Sequence, residues 1–85
     1  MYTVYALKSL KDNNLYIGCT SNINKRLSEH NNGRVKSTRN RKPLKLLFKE
    51  GYVDKYEAFK KERYYKTAKG KKELKNKITN HCGIV

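Results

Sequence analysis

The sequence predicts an α+β domain, a three-stranded and mostly antiparallel sheet with flanking helices in the order β-β-α-β-α-α. Three observations predict it. Two runs rich in β-branched and aromatic residues, "YTVYALK" at 2–8 and "LYIGC" at 15–19, flank the turn cluster "SLKDNN". A third apolar run, "LKLLFKE", follows Pro43. The stretches between and after these runs space their apolar residues by three and four, the period of a helix. At 85 residues the chain is expected to form one domain, residues 1–85, with a small core.

In the first strand Val4 and Ala6 fall on one face, Tyr5 and Leu7 on the other. In the second, Leu15 and Ile17 alternate with Tyr16 and Gly18. Pairing the apolar positions on one face therefore puts Tyr5 and Tyr16 together on the opposite face. "TSN" at 20–22 offers helix N-caps. The helix "INKRLSEHN" brings Ile23, Leu27 and His30 to one side at i, i+4 and i+7, with Arg26 beside them. "NNG" at 31–33 ends it, with Gly33 or an Asn as a left-handed cap. Residues 34–42 form a basic loop without an acid, and "GYVD" after the third strand reads as a turn. "KYEAFKKERYYKTAK" is helical, with Tyr56, Phe59, Arg63 or Tyr64, and Thr67 along one side. Gly70 is expected to interrupt it before a final short helix, "KKELKNKI", that carries Leu74 and Ile78.

Charge is the strongest global signal. Twenty-one Lys+Arg against seven Asp+Glu give +14. Such a field attracts polyanions, nucleic acid first among them. A membrane surface is disfavoured: there is no lipidation signal, and no apolar run is long enough to span a bilayer. With no secretory signal before the first strand, a cytoplasmic location is expected. Cys19 and Cys82 are weak candidates for a disulfide in that setting. His81 and Cys82, without a CxxC partner, read as a free-thiol terminus rather than a zinc site.

The basic segments read as a phosphate-contacting surface. Arg34, Lys36, Arg39, Arg41 and Lys42 in the loop, with Lys60, Arg63 and Lys66 on the helix, are the chosen residues. Tyr64 and Tyr65 are candidates for base stacking or for packing. The acids are few and scattered: Asp12, Glu29, Glu50, Asp54, Glu57, Glu62 and Glu73 form no close pair. Two-metal phosphodiester hydrolysis needs a carboxylate cluster, which this chain does not supply. Phosphodiester chemistry here would need one divalent ion, one carboxylate and other groups. No phosphate-binding glycine loop and no Ser/His/Asp arrangement is present.

"TVY" at 3–5, "YIG" at 16–18, Arg26 and His30 within "NKRLSEHNNG", and Glu62 in a basic helix together resemble the GIY-YIG nuclease superfamily. The likeness covers about residues 2–78 and is nearest to the short single-domain members and to the N-terminal nuclease module of the bacterial excinuclease. Thr3 and Val4 stand where the family has Gly and Ile, while Tyr5 is kept. The resemblance implies a metal-dependent endonuclease that hydrolyses DNA phosphodiester bonds, in repair or recombination. It implies that Tyr5 and Tyr16 hydrogen-bond the attacking water, with Tyr16 the chosen base and Tyr5 assisting. Arg26 would bind the scissile phosphate, and His30 would assist proton transfer or bind phosphate. Glu62 would hold one Mg²⁺ or Mn²⁺, and Asn76, or failing it Asn80, would be the family's asparagine. The implied partner is DNA, branched or damaged forms included, with room for a protein partner and no small-molecule cofactor. The competing expectations are a non-catalytic nucleic-acid-binding module on the same scaffold and a basic component of an RNA assembly.

Overall fold

A computed structural model describes the backbone of residues 1–36 and 38–82, with side chains through Thr79. Asn80, His81 and Cys82 therefore lie outside the described side chains. The elements are β1 (Tyr2–Ser9), β2 (Leu15–Thr20), α1 (Ile23–Asn31), a single 3₁₀ turn (Arg39–Arg41), β3 (Leu44–Tyr52), α2 (Lys55–Tyr65) and α3 (Ala68–Cys82). The sheet runs β2-β1-β3 and is antiparallel throughout, as the sequence predicts.

Central strand β1 is buried on both faces, so Val4 through Leu7 are all inside. On one face Val4, Ala6, Ile17 and Phe48 pack under Ala58 and Tyr65 of α2 and Leu74 of α3. On the other, Tyr5, Leu7 and Leu44 pack with Tyr16, Leu46 and, from α1, Ile23 and Leu27. The alternation of a strand thus sorts two small cores, with the tyrosines on the α1 side.

The turns follow their residue types. Ser9 Oγ accepts from the N–H groups of Lys11 and Asp12 at 3.1 and 3.3 Å, and Asn13 takes the left-handed conformation at φ 62°. Asn22 caps α1 by accepting from the Lys25 N–H at 3.1 Å. Gly33, at φ +75°, closes its other end.

Three expectations are corrected. The "GYVD" turn begins later, because Gly51 and Tyr52 still pair with Thr3 and Tyr2. The break between α2 and α3 falls at Lys66–Thr67, not at Gly70. Thr67 caps α3: its hydroxyl oxygen accepts from the Gly70 N–H at 3.0 Å and its carbonyl from the Lys71 N–H at 2.8 Å. Gly70 lies inside the first turn of α3, buried where a β-carbon would overlap the carbonyl oxygen of Tyr64 and crowd the backbone of Tyr65. It is a close-approach glycine between two helices rather than a breaker. Last, the inner face of α2 carries Ala58 and Tyr65, while Tyr56 and Phe59 point outward.

Tyr65 is wholly buried, so its hydroxyl needs partners. It donates to Glu50 Oε1 at 3.3 Å and accepts from Lys77 Nζ at 2.9 Å. Tyr52 also donates to Glu50, and Lys77 lies 3.7 Å from Glu50 Oε2. This network ties β3, α2 and α3 together and assigns Tyr65 to packing rather than stacking.

Candidate active site

The register of the hairpin builds the site. Tyr5 faces Gly18 across the ladder and Leu7 faces Tyr16, so the two tyrosines are diagonal neighbours on one face. Their ring centroids are 6.4 Å apart. A β-carbon on Gly18 would overlap the Tyr5 hydroxyl and ring edge, so the glycine of "YIG" is the space that the Tyr5 ring occupies.

Helix α1 then lays His30 across both rings, 5.9 Å from the Tyr5 centroid and 5.0 Å from that of Tyr16. The Tyr5 oxygen is 3.1 Å from His30 Nε2, and His30 Nδ1 is 2.7 Å from Thr38 Oγ1. The Thr38 hydroxyl also reaches the Val35 carbonyl at 3.5 Å, and a carbonyl can only accept. Thr38 is therefore assigned as donor to Val35 and acceptor from Nδ1–H. That tautomer leaves Nε2 as a lone pair for the Tyr5 O–H. Tyr5, His30 and Thr38 are all essentially sealed from solvent.

Burial, with the Arg26 charge adding to it, holds His30 below its ordinary value near 6.5, so the ring is neutral at physiological pH. Burial also raises the Tyr5 hydroxyl above 10.0, against the opposing effect of a hydrogen bond from Arg26. That bond raises the Arg26 guanidinium in turn. Arg26 is half-buried and lies 3.6 Å from Glu29. It borders a groove of about 520 Å³ formed by Cys19–Asn22, Lys25 and Glu29.

Glu62 approaches from α2. Its charge reaches Tyr5 and Cys19, adding to burial in raising both. Its carboxylate takes an ion pair from Lys66 at 2.9 Å. Of the residues chosen for nucleic-acid contact, Arg34, Lys36, Arg39, Lys42, Lys60, Arg63 and Lys66 are exposed. Arg41 is half-buried, 3.7 Å from Asp12, and its carbonyl accepts from Ser9 Oγ at 2.6 Å. Asn76 is exposed on α3, whose Leu74 and Ile78 pack on the opposite face of the sheet. Among the described residues no hydrogen bond joins Asn76 to the tyrosines.

Thr38 is the site residue that the sequence did not flag. A lone threonine in a basic loop carries no periodic signal, and its burial exists only because the loop folds back over α1.

A sheet bearing two tyrosines, with Arg and His on the crossing helix and Glu on the next, defines a class. The chain belongs to the GIY-YIG family: the GIY-YIG catalytic domain matches residues 1–78. It is 48% identical over 67 residues to a UPF0213 protein of Clostridium perfringens (strain 13 / Type A), covering 78% of this chain and 71% of that one. It is 42% identical over 66 residues to the UPF0213 protein YazA of Bacillus subtilis (strain 168), covering 75% and 67%. The solution NMR structure of the UPF0213 protein BH0048 from Bacillus halodurans superimposes with a TM-score of 0.56 at 31% identity, covering 89% of this chain and 84% of that one.

Proposed function

We propose that this chain is a divalent-metal-dependent endonuclease that hydrolyses DNA phosphodiester bonds. The observation that carries the reading is the convergence of Tyr5, Tyr16, Arg26 and His30 on one sheet face, with the Glu62 charge reaching it from α2. Thr38, among the basic residues after α1, bonds His30 in the same site.

Roles follow from burial and hydrogen bonding. Tyr16 is the more accessible phenol, and it acts as the general base toward the attacking water. Tyr5 donates to His30, and Arg26 stands at the edge of the groove with its charge acting on Tyr5. Arg26 presents planar donors to the non-bridging oxygens of the scissile phosphate and stabilises the charge that develops there. His30, fully buried, acts on Tyr5 rather than on phosphate.

The fold family implies a divalent cation. Among the described residues no three His, Cys, Asp or Glu side chains gather, and Glu62 is the carboxylate that α2 brings toward the tyrosines. That donor set fits a hard ion that keeps its waters and takes phosphate oxygens, Mg²⁺ or Mn²⁺. When bound, it would neutralise charge on the phosphate. Lys66 pairs with Glu62 Oε2, and the second carboxylate oxygen is the one that would meet the cation.

The same Glu62–Lys66 pair favours the second reading, a scaffold that binds nucleic acid without cutting it. One experiment separates the two. Supercoiled, single-stranded and branched DNA are incubated with the protein and Mg²⁺ or Mn²⁺. Cutting that disappears in Glu62→Ala and Arg26→Ala, with binding largely retained, supports the nuclease. Binding with no cutting of any substrate supports the second reading, and cutting that survives both substitutions rejects the assigned site.

A further inference from the structure

Among the described residues Met1, Leu10, Val53, Tyr56 and Phe59 are the large apolar side chains left exposed. Two of the five, Tyr56 and Phe59, lie together on α2. Tyr56 is 76% exposed and Phe59 37%, one helical turn apart on the outer side. Their exposure serves no packing, since α2 holds the sheet through Ala58 and Tyr65. Cations surround them. Lys55 Nζ sits 5.6 Å from the Phe59 ring centroid, and Lys60 and Arg63 are exposed beside it. Tyr56, Phe59, Lys60 and Arg63, with Glu57, line a shallow groove of about 330 Å³.

The patch shares a rigid helix with Glu62. At 3.6 residues per turn, Phe59 lies about 60° around the axis from Glu62 and Tyr56 about 120°. The groove therefore opens on the flank of α2 next to the carboxylate. Aromatic faces set among cations suit unpaired bases, whose rings stack while their phosphates meet the charges. A duplex hides its base faces and offers only phosphate.

We propose that Tyr56 and Phe59 form a stacking site for unpaired nucleotides, with Lys55, Lys60 and Arg63 on the phosphates. The site takes the single-stranded segment that runs past Glu62, so the substrate class is DNA with unpaired nucleotides beside the cleaved bond. This inference rests on the nuclease reading for the word substrate, but not for the binding itself.

The test uses the intact chain without divalent metal at fixed salt. The chain has no Trp, so Phe59→Trp introduces a single indole reporter. A mixed-sequence single-stranded oligodeoxynucleotide is expected to quench its emission, and a blunt duplex of equal length to leave it nearly unchanged. Tyr56→Ala/Phe59→Ala is expected to bind the single strand at least about 25-fold more weakly, at fivefold or more per lost stacking partner. Its duplex affinity should change less than about threefold. Circular dichroism is expected to match the parent, because both side chains are outside the core. An unquenched indole at saturating oligonucleotide overturns the proposal. So do unchanged single-strand affinity of the double variant, which would point to a protein partner, and equal loss on both nucleic acids. Quenching by a protein that cuts no DNA would keep the stacking site and reject the nuclease reading.

Discussion

Gly18 and Tyr5 face each other across the β1–β2 ladder, and a β-carbon on Gly18 would occupy the space of the Tyr5 hydroxyl. Gly18→Ala is therefore expected to push the Tyr5 ring off its bond to His30. Overpacking of this kind costs about 1–3 kcal/mol. Urea unfolding should show that loss, and nicking of DNA should fall at least about tenfold. Stability within about 0.5 kcal/mol of the parent would mean that the ring is not confined as described.

Thr38 fixes the tautomer of His30 through a 2.7 Å bond. Thr38→Val keeps the shape but removes the acceptor for Nδ1–H, leaving a buried donor unpaired at a cost of about 1–3 kcal/mol. Thr38→Ser keeps the acceptor. Serine is expected to retain most of the DNA-cutting rate and valine to lose it, with a changed pH profile in whatever activity remains. Equal rates for the two variants would remove Thr38 from the site.

The pH dependence of stability has a predictable sign. His30 is held below its ordinary value of 6.5, chiefly by burial. As pH falls below that value, the unfolded chain binds a proton at this residue before the folded chain does. The stability contributed by neutral His30 is complete above about pH 6.5 and is lost as pH falls through its lower native value. The carboxylates of Asp12 and Glu73 are lowered from their ordinary values, so their losses come at more acid pH. Melting temperatures between pH 7.5 and pH 5 should fall in the parent and stay flatter in His30→Gln. Parallel curves would contradict the assignment.

Gly70→Ala sets two effects against each other. Helix propensity alone favours alanine by about 1 kcal/mol. The β-carbon, however, would overlap the backbone of Tyr64, and backbone cannot rotate away as a side chain can. Destabilisation by more than about 2 kcal/mol is expected, read as a lower midpoint in denaturant. A stabilised variant would show that α2 and α3 do not meet at this glycine.

Salt should weaken DNA binding steeply. Each phosphate contact contributes about 0.9 to the slope of log affinity against log salt on B-DNA. Lys36→Ala/Arg39→Ala removes two exposed loop cations and is expected to lower the slope by about 1.8. An unchanged slope would place the DNA elsewhere.

Much of the site was legible because its signals are local. Strand alternation alone put Tyr5 and Tyr16 on one face, and i, i+4, i+7 spacing put Ile23, Leu27 and His30 on one side of α1. On α2 the sequence places Tyr56 and Phe59 along one side, and the structure turns that side outward. Small Ala58 seats the helix on the sheet instead. Gly70 was misjudged because propensity describes an isolated helix, and here a second helix presses against it.

By itself the sequence determined the element order, the tyrosine face, the positive field and the Arg26–His30 helix face. These depend on residues a few positions apart, whose relative directions the backbone repeat dictates. Only the tertiary structure decided that β1 is buried on both faces and that Thr38 closes over His30. It also decided that Tyr56 and Phe59 stay exposed on α2 rather than joining a core. Those outcomes depend on which surfaces meet after the chain has folded back across 8 to 25 residues, as in His30–Thr38 and Tyr5–His30, and no local period encodes them.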